Sequence, residues 1–126
     1  MMLMNCLLVG CGGALGAVGR YLAGLLPFWP ETDFPLSTLL INLAGAFAIG
    51  LITQLAAQRA TGGSGAVLFF KTGICGGFTT FSTFSLESFS LLSAGKSGLA
   101  LLYMALSVAL CLLGVVLGQW LGQKLA

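Results

Sequence analysis

Gly73-Ile74-Cys75-Gly76-Gly77-Phe78-Thr79-Thr80-Phe81-Ser82-Thr83-Phe84-Ser85 is the stretch on which the fold turns. It lies inside an apolar run long enough to cross a bilayer, yet it holds three glycines, five hydroxyl residues and a phenylalanine at every third position. A lipid-facing helix wants Leu, Ile and Val there. In hydrocarbon an unpaired backbone amide or carbonyl costs several kcal/mol, so a broken helix at that depth persists only inside protein or beside a water-filled path. Polar residues at membrane depth point to the same kind of place, a binding or permeation route.

The rest of the chain fits a membrane setting. Of its 126 residues 58% are apolar and 6% charged, with a mean hydropathy of +1.06, far from a soluble domain in which about a quarter of residues are charged. About 20 apolar residues cross a bilayer core as a helix. The sequence predicts four such helices, over about 3–26, 36–57, 66–92 and 98–121, forming a single all-α transmembrane domain over 1–126. The third is longer than a span requires, which suits an interruption near its middle, expected at the Gly76-Gly77 pair. Pro27, Pro30 and Pro35, with Glu31 and Asp33, mark the loop between the first two helices. The N-terminus opens into an apolar run too long for a signal peptide, with no charged segment before it.

Small residues give the helices close-packing faces. Gly12, Gly16, Gly19 and Ala23 form one stripe on the first helix, and Tyr103, Ser107, Cys111, Gly114 and Gly118 form another on the fourth. Packing explains the first stripe. The hydroxyls of Tyr103 and Ser107 need partners in hydrocarbon, so the second serves either as helix glue or as pore lining. Cys6, Cys11, Cys75 and Cys111 all fall in apolar stretches with no histidine and no close pairing, which reads as small buried or lipid-facing residues rather than a metal centre.

Charge bears on topology. Arg59, Lys71 and Lys124 lie toward one side of the four-span layout, Arg20 and Lys96 toward the other, and three against two is too even to fix orientation. Near-balance predicts insertion both ways. Four short helices surround a polar route poorly alone, so the expectation is an antiparallel homodimer whose inverted copies supply the symmetry that larger transporters encode in one chain. A net charge of +2 is too small and scattered for nucleic acid.

At 100° per residue Thr79, Thr80, Thr83, Glu87 and Ser90 share one face of the third helix. Glu87 is the one acid outside the proline-rich loop, and a carboxylate at the bilayer centre costs about 2.5–3.5 kcal/mol on insertion scales, so it should face protein or reach interfacial water. Asn42, within the second helix, serves a pore or an interhelical hydrogen bond. Arg20 snorkels to the interface or makes a positive vestibule that gathers anions. The rings of Phe81 and Phe84 favour an anion if they present edges and a cation if they present faces. The residues leave both open.

Gly12-Gly13-x-x-Gly16-Ala17-x-x-Arg20-Tyr21, Thr38-Leu39-x-x-Asn42-x-x-Gly45 and the Gly73–Glu87 block together resemble the CrcB/Fluc fluoride channels. The resemblance implies a dual-topology homodimer in the cell's inner membrane, with two antiparallel pores that let cytoplasmic fluoride leak out passively and so relieve its toxicity. It implies that Asn42, Phe81 and Phe84 line the pore, with Ser82, Thr83, Glu87 and Tyr103 in a polar track and Arg20 in the vestibule. It further implies that the backbone carbonyls of Gly76 and Thr79 from both subunits hold a central structural sodium ion. Helix four departs from the pattern: Cys111 stands where relatives often carry a serine, and a thiol is the weaker donor, so coordination there falls more on Ser107.

Two other readings compete. Proton-coupled exporters of small cations are also four-helix antiparallel dimers but use an acid in the first helix, where this chain has Arg20 instead. A scaffold that only packs helices predicts no ion flux at all. An enzyme is excluded by the lack of histidine, of a nucleophile beside a base and of a second carboxylate at depth.

Overall fold

The computed structural model describes residues 1–125, and every regular element among them is helical. Helix α1 runs Met2–Gly24 and α2 runs Leu36–Gln58. The next helix, α3, covers 65–78 and is wound in three ways: an opening turn Gly65–Val67, a π-wound stretch Leu68–Cys75 and a closing turn Gly76–Phe78. After a two-residue gap α4 runs Phe81–Ser93, and α5 runs Ser97–Leu125, about one turn beyond its expected end. Three helices, α1, α2 and α5, are each unbroken and apolar enough to cross a membrane.

Local chemistry sets the ends. The indole Nε1 of Trp29 donates to the Ala23 carbonyl at 2.8 Å, capping α1 where the proline-rich loop begins. Pro35 precedes α2, where a missing N–H costs nothing. Ser64 Oγ accepts the Val67 amide at the start of α3. Gly95, at φ +76°, lets the chain leave α4, and the Lys96 amide returns to the Leu91 carbonyl at 2.9 Å.

The helices pack in two close pairs, α1 on α3 and α2 on α5, and α4 leans on α5. The glycine stripes are the reason. A Cβ on Gly12 would stand 2.9 Å from Gly73 Cα, and one on Gly77 would stand 3.0 Å from Gly13 Cα. Across the other pair, a Cβ on Gly50 would lie 3.0 Å from Val115 Cα, and one on Gly118 2.8 Å from the Leu51 amide. Without a hydrophobic force between helices in lipid, such backbone approach is what holds them. Leu7, Leu15 and Leu22 of α1 and Leu101, Leu113 and Val116 of α5 are left exposed, apolar side chains that lipid tails accept.

The third span is broken, but not where the glycines suggest. Gly76 and Gly77 are helical; Thr79 (φ −83°, ψ 157°) and Thr80 (φ −149°, ψ 120°) are the extended residues. The glycines serve the approach to α1 instead. The expected single face of Thr79, Thr80, Thr83, Glu87 and Ser90 is corrected accordingly: the two threonines precede α4, and Ser90 is exposed.

Candidate functional site

A helix continuing through Thr80 would give its amide to the Gly76 carbonyl. Here the Thr80 amide donates to Asn42 Oδ1 at 2.8 Å, and Asn42 Nδ2 donates back to the Thr80 carbonyl at 3.1 Å. One side chain of α2 thus replaces two lost backbone bonds. Around it, Thr79 turns on itself: its amide and its hydroxyl both donate to the Cys75 carbonyl, at 3.1 and 2.8 Å. Thr80 Oγ1 caps α4 by accepting the Thr83 amide at 3.2 Å, and it donates to Thr83 Oγ1 at 3.1 Å. Arg20 Nε, from α1, donates to the Gly77 carbonyl at 3.3 Å. The carbonyls of Gly76 and Thr79 accept none of these bonds.

Against the break lies a cavity of about 430 Å³, open along one side. Asn42, Thr79, Thr80 and Ser107 give it polar groups, and Phe81 and Phe84 give it rings. No Asp, Glu, Lys or Arg lines it. The Ser107 hydroxyl is buried with no hydrogen-bond partner among the described residues. Phe81 is 79% exposed, so in the isolated chain the aromatic wall faces outward.

A second polar cluster sits one turn further along α4. Glu87 accepts from two hydroxyls, Thr38 at 3.0 Å and Tyr103 at 2.9 Å. Its carboxylate is therefore held in protein by three helices, α2, α4 and α5. Tyr103 is completely buried. Its ring is flanked by Phe34, edge-on at 5.5 Å, and by Phe84 at 5.3 Å, and Phe84 meets Phe81 at 5.6 Å. This row of four rings joins the second cluster to the cavity.

The structure thus brings Asn42, Thr79, Phe81, Phe84 and Ser107 to one cavity, and Glu87 and Tyr103 to a neighbouring cluster. Ser82 is exposed, with its hydroxyl 3.3 Å from that of Thr80, and Thr83 reaches the site only through Thr80. Arg20 is half-buried, with its Nε on the Gly77 carbonyl at the break. Gly76 lies exposed beside it. Sequence reasoning missed Thr38 and Phe34 as site residues. Thr38 had a legible signal, a hydroxyl one helical turn before Asn42; Phe34, in a loop, had none.

Residues 7–119 match the family of CrcB-like proteins, Camphor Resistance (CrcB). A protein of Ruminiclostridium cellulolyticum named fluoride-specific ion channel FluC is 46% identical over 98% of this chain and 96% of its own length. One of the same name from Agrobacterium fabrum is 41% identical over 98% of this chain and 99% of its own. Another, from Deinococcus radiodurans, is 48% identical over 90% of this chain and 91% of its own.

Proposed function

The chain belongs to the CrcB-like family, and on that premise we propose that it is a fluoride-selective passive ion channel of the cell's inner membrane. Its relatives are named as channels, and it is not an enzyme. The observation that carries the reading is the cavity beside the break, in which neutral donors and aromatic rings meet with no carboxylate, amine or guanidinium among them. Conduction needs an ion bound well enough to enter and weakly enough to leave. Amide, hydroxyl and ring-edge donors meet that condition for a small anion, and a fixed cation in the cavity would trap it. Fluoride enters cells as neutral HF and dissociates inside, so a passive exit relieves its toxicity without an energy source.

A second, inverted copy of the chain completes the pathway in this reading. The open side of the cavity and the exposed Ser82 beside it would be covered by that copy, since polar side chains at membrane depth face protein or water rather than lipid. Two inverted copies give two antiparallel pores. The same reading includes the structural sodium ion. The carbonyls of Gly76 and Thr79 are neutral, hard oxygen donors left over at the break, and hard oxygens suit an alkali cation. Those two residues of each copy would hold it, and its charge would steady the break at the dimer centre. In the pathway itself, Asn42 orients the Thr80 amide plane, Ser107 offers an uncommitted hydroxyl, and the rings lead toward Tyr103, with Thr83 and Ser82 in the same track.

A proton-coupled cation exporter is not favoured. Glu87 is engaged by two hydroxyls and lines no part of the cavity, and α1 carries no acid. The test is fluoride efflux, by ion-selective electrode, from liposomes holding the pure protein with no pH gradient. Glu87→Gln keeps an acceptor for one hydroxyl and gives the other, which can rotate, a donor to face. The bond weakened is one of the pair that holds α2, α4 and α5 together, and none of Glu87, Thr38 and Tyr103 lines the cavity, so its flux is expected within about tenfold of the parent. Flux that vanishes without a proton gradient, or in Glu87→Gln, overturns the channel in favour of the exporter.

A further inference from the structure

A second cavity, of about 320 Å³, opens where the end of α2 meets the start of α3, at the opposite end of α3 from the break. Ile52 and Leu55 of α2 and Val67 and Phe70 of α3 give it an apolar wall, and Phe70 is exposed. The turn between the helices adds Arg59, Thr61 and Ser64. Thr61 Oγ1 donates to the Ala56 carbonyl at 3.4 Å, whereas Ser64 Oγ accepts the Val67 amide and keeps its own proton to give. The exposed Arg59 guanidinium forms no ion pair among the described residues.

Charge around this cavity is one-sided. The chain's three acidic side chains belong to the other end of the bundle: Glu31 and Asp33 to the loop before α2, and Glu87 to the Thr38 hydroxyl in the first turn of α2. Arg59 caps the far end of that helix, where α5 brings Lys124, since Gly122 packs against Gln54. A guanidinium matches phosphate oxygens in a planar fork. With no acidic side chain at this end, the ammonium of a zwitterionic headgroup finds no partner, so a net anion is preferred. A free anion would use the polar turn and leave the apolar wall wet. A lipid uses both, and α2 is long and apolar enough to span, which puts Arg59 at headgroup level.

We infer that this cavity binds an anionic glycerophospholipid, its phosphate on Arg59 and the Ser64 hydroxyl and an acyl chain along Val67 and Phe70. The binding stands on the cavity and its charge alone and does not depend on the proposed channel function. Phosphatidylglycerol is the probe, set against phosphatidylcholine with the same acyl chains.

The full chain is reconstituted in vesicles of the two lipids in equal amounts, extracted in mild detergent and purified, and the lipid that stays with it is counted by mass spectrometry. Phosphatidylglycerol is expected to be enriched about fivefold over phosphatidylcholine on the parent, the scale of one basic residue at an anionic membrane surface, and under about twofold on Arg59→Gln. Lys124→Gln removes the same charge from the same end but outside the cavity, and is expected to keep the parent's enrichment. Ala66→Trp fills the cavity from an exposed lining position with the charge unchanged, and is expected to lose it; this variant decides if Arg59→Gln elutes aggregated. Enrichment that persists in Arg59→Gln, or is lost equally in Lys124→Gln, overturns the site, as does a parent that retains no excess. Enrichment stripped from the parent by a wash in millimolar inorganic phosphate overturns the lipid in favour of a free anion.

Discussion

Asn42→Asp is expected to remove fluoride flux by about two orders of magnitude. The new carboxylate keeps the acceptor for the Thr80 amide but loses the donor to the Thr80 carbonyl, so two oxygens face each other where a 3.1 Å hydrogen bond stood. It also places a negative charge on the wall of a cavity that otherwise carries none. At about 5 Å and an effective dielectric of about 20, like charges repel by about 3 kcal/mol, and each 1.4 kcal/mol, roughly, is a factor of ten in rate. Fluoride-electrode efflux from liposomes reads the loss, with size-exclusion elution confirming intact protein. Flux within threefold of the parent would mean that Asn42 is only a strut.

Gly16→Leu is expected to yield no folded protein at all. A Cβ at this position would fall on the Ile74 carbonyl and 2.8 Å from the Phe78 amide, backbone atoms that cannot rotate away. Overpacking a core typically costs about 1–3 kcal/mol when side chains can yield; here α1 must part from α3, and with it goes the approach that supports the break. Gly24→Leu, in the same helix with nothing within 4 Å, is the matched control and is expected to elute as the parent does. Equal recovery of both variants in detergent would show that the α1–α3 contact is dispensable.

Much of this architecture was legible. Apolar run length gave the helices, and glycine spacing gave the faces on which α1 meets α3 and α2 meets α5, because in lipid small residues do little else. The density of hydroxyls after Gly77 announced a break. Its position was hidden for a physical reason. Glycine lowers the local cost of leaving the helix, and that is readable along the chain, but the break falls where a distant partner can satisfy the freed groups. That partner is Asn42, thirty-eight residues away and on another helix. Polarity at Asn42 was visible; its pairing with Thr80 was not. The same holds for Glu87, whose interior position follows from its cost in lipid, whereas its two hydroxyl partners, Thr38 and Tyr103, follow only from the packing of α2 and α5 around α4. Phe34 was illegible because a loop residue carries no periodicity to place it.

The most direct measurement is paired efflux from liposomes holding the wild-type protein, one set loaded with fluoride and one with chloride, at equal pH on both sides. The account predicts that fluoride leaves through the protein while chloride is retained as in protein-free vesicles. Chloride leaving as readily as fluoride, or fluoride retained as in protein-free vesicles, would contradict it.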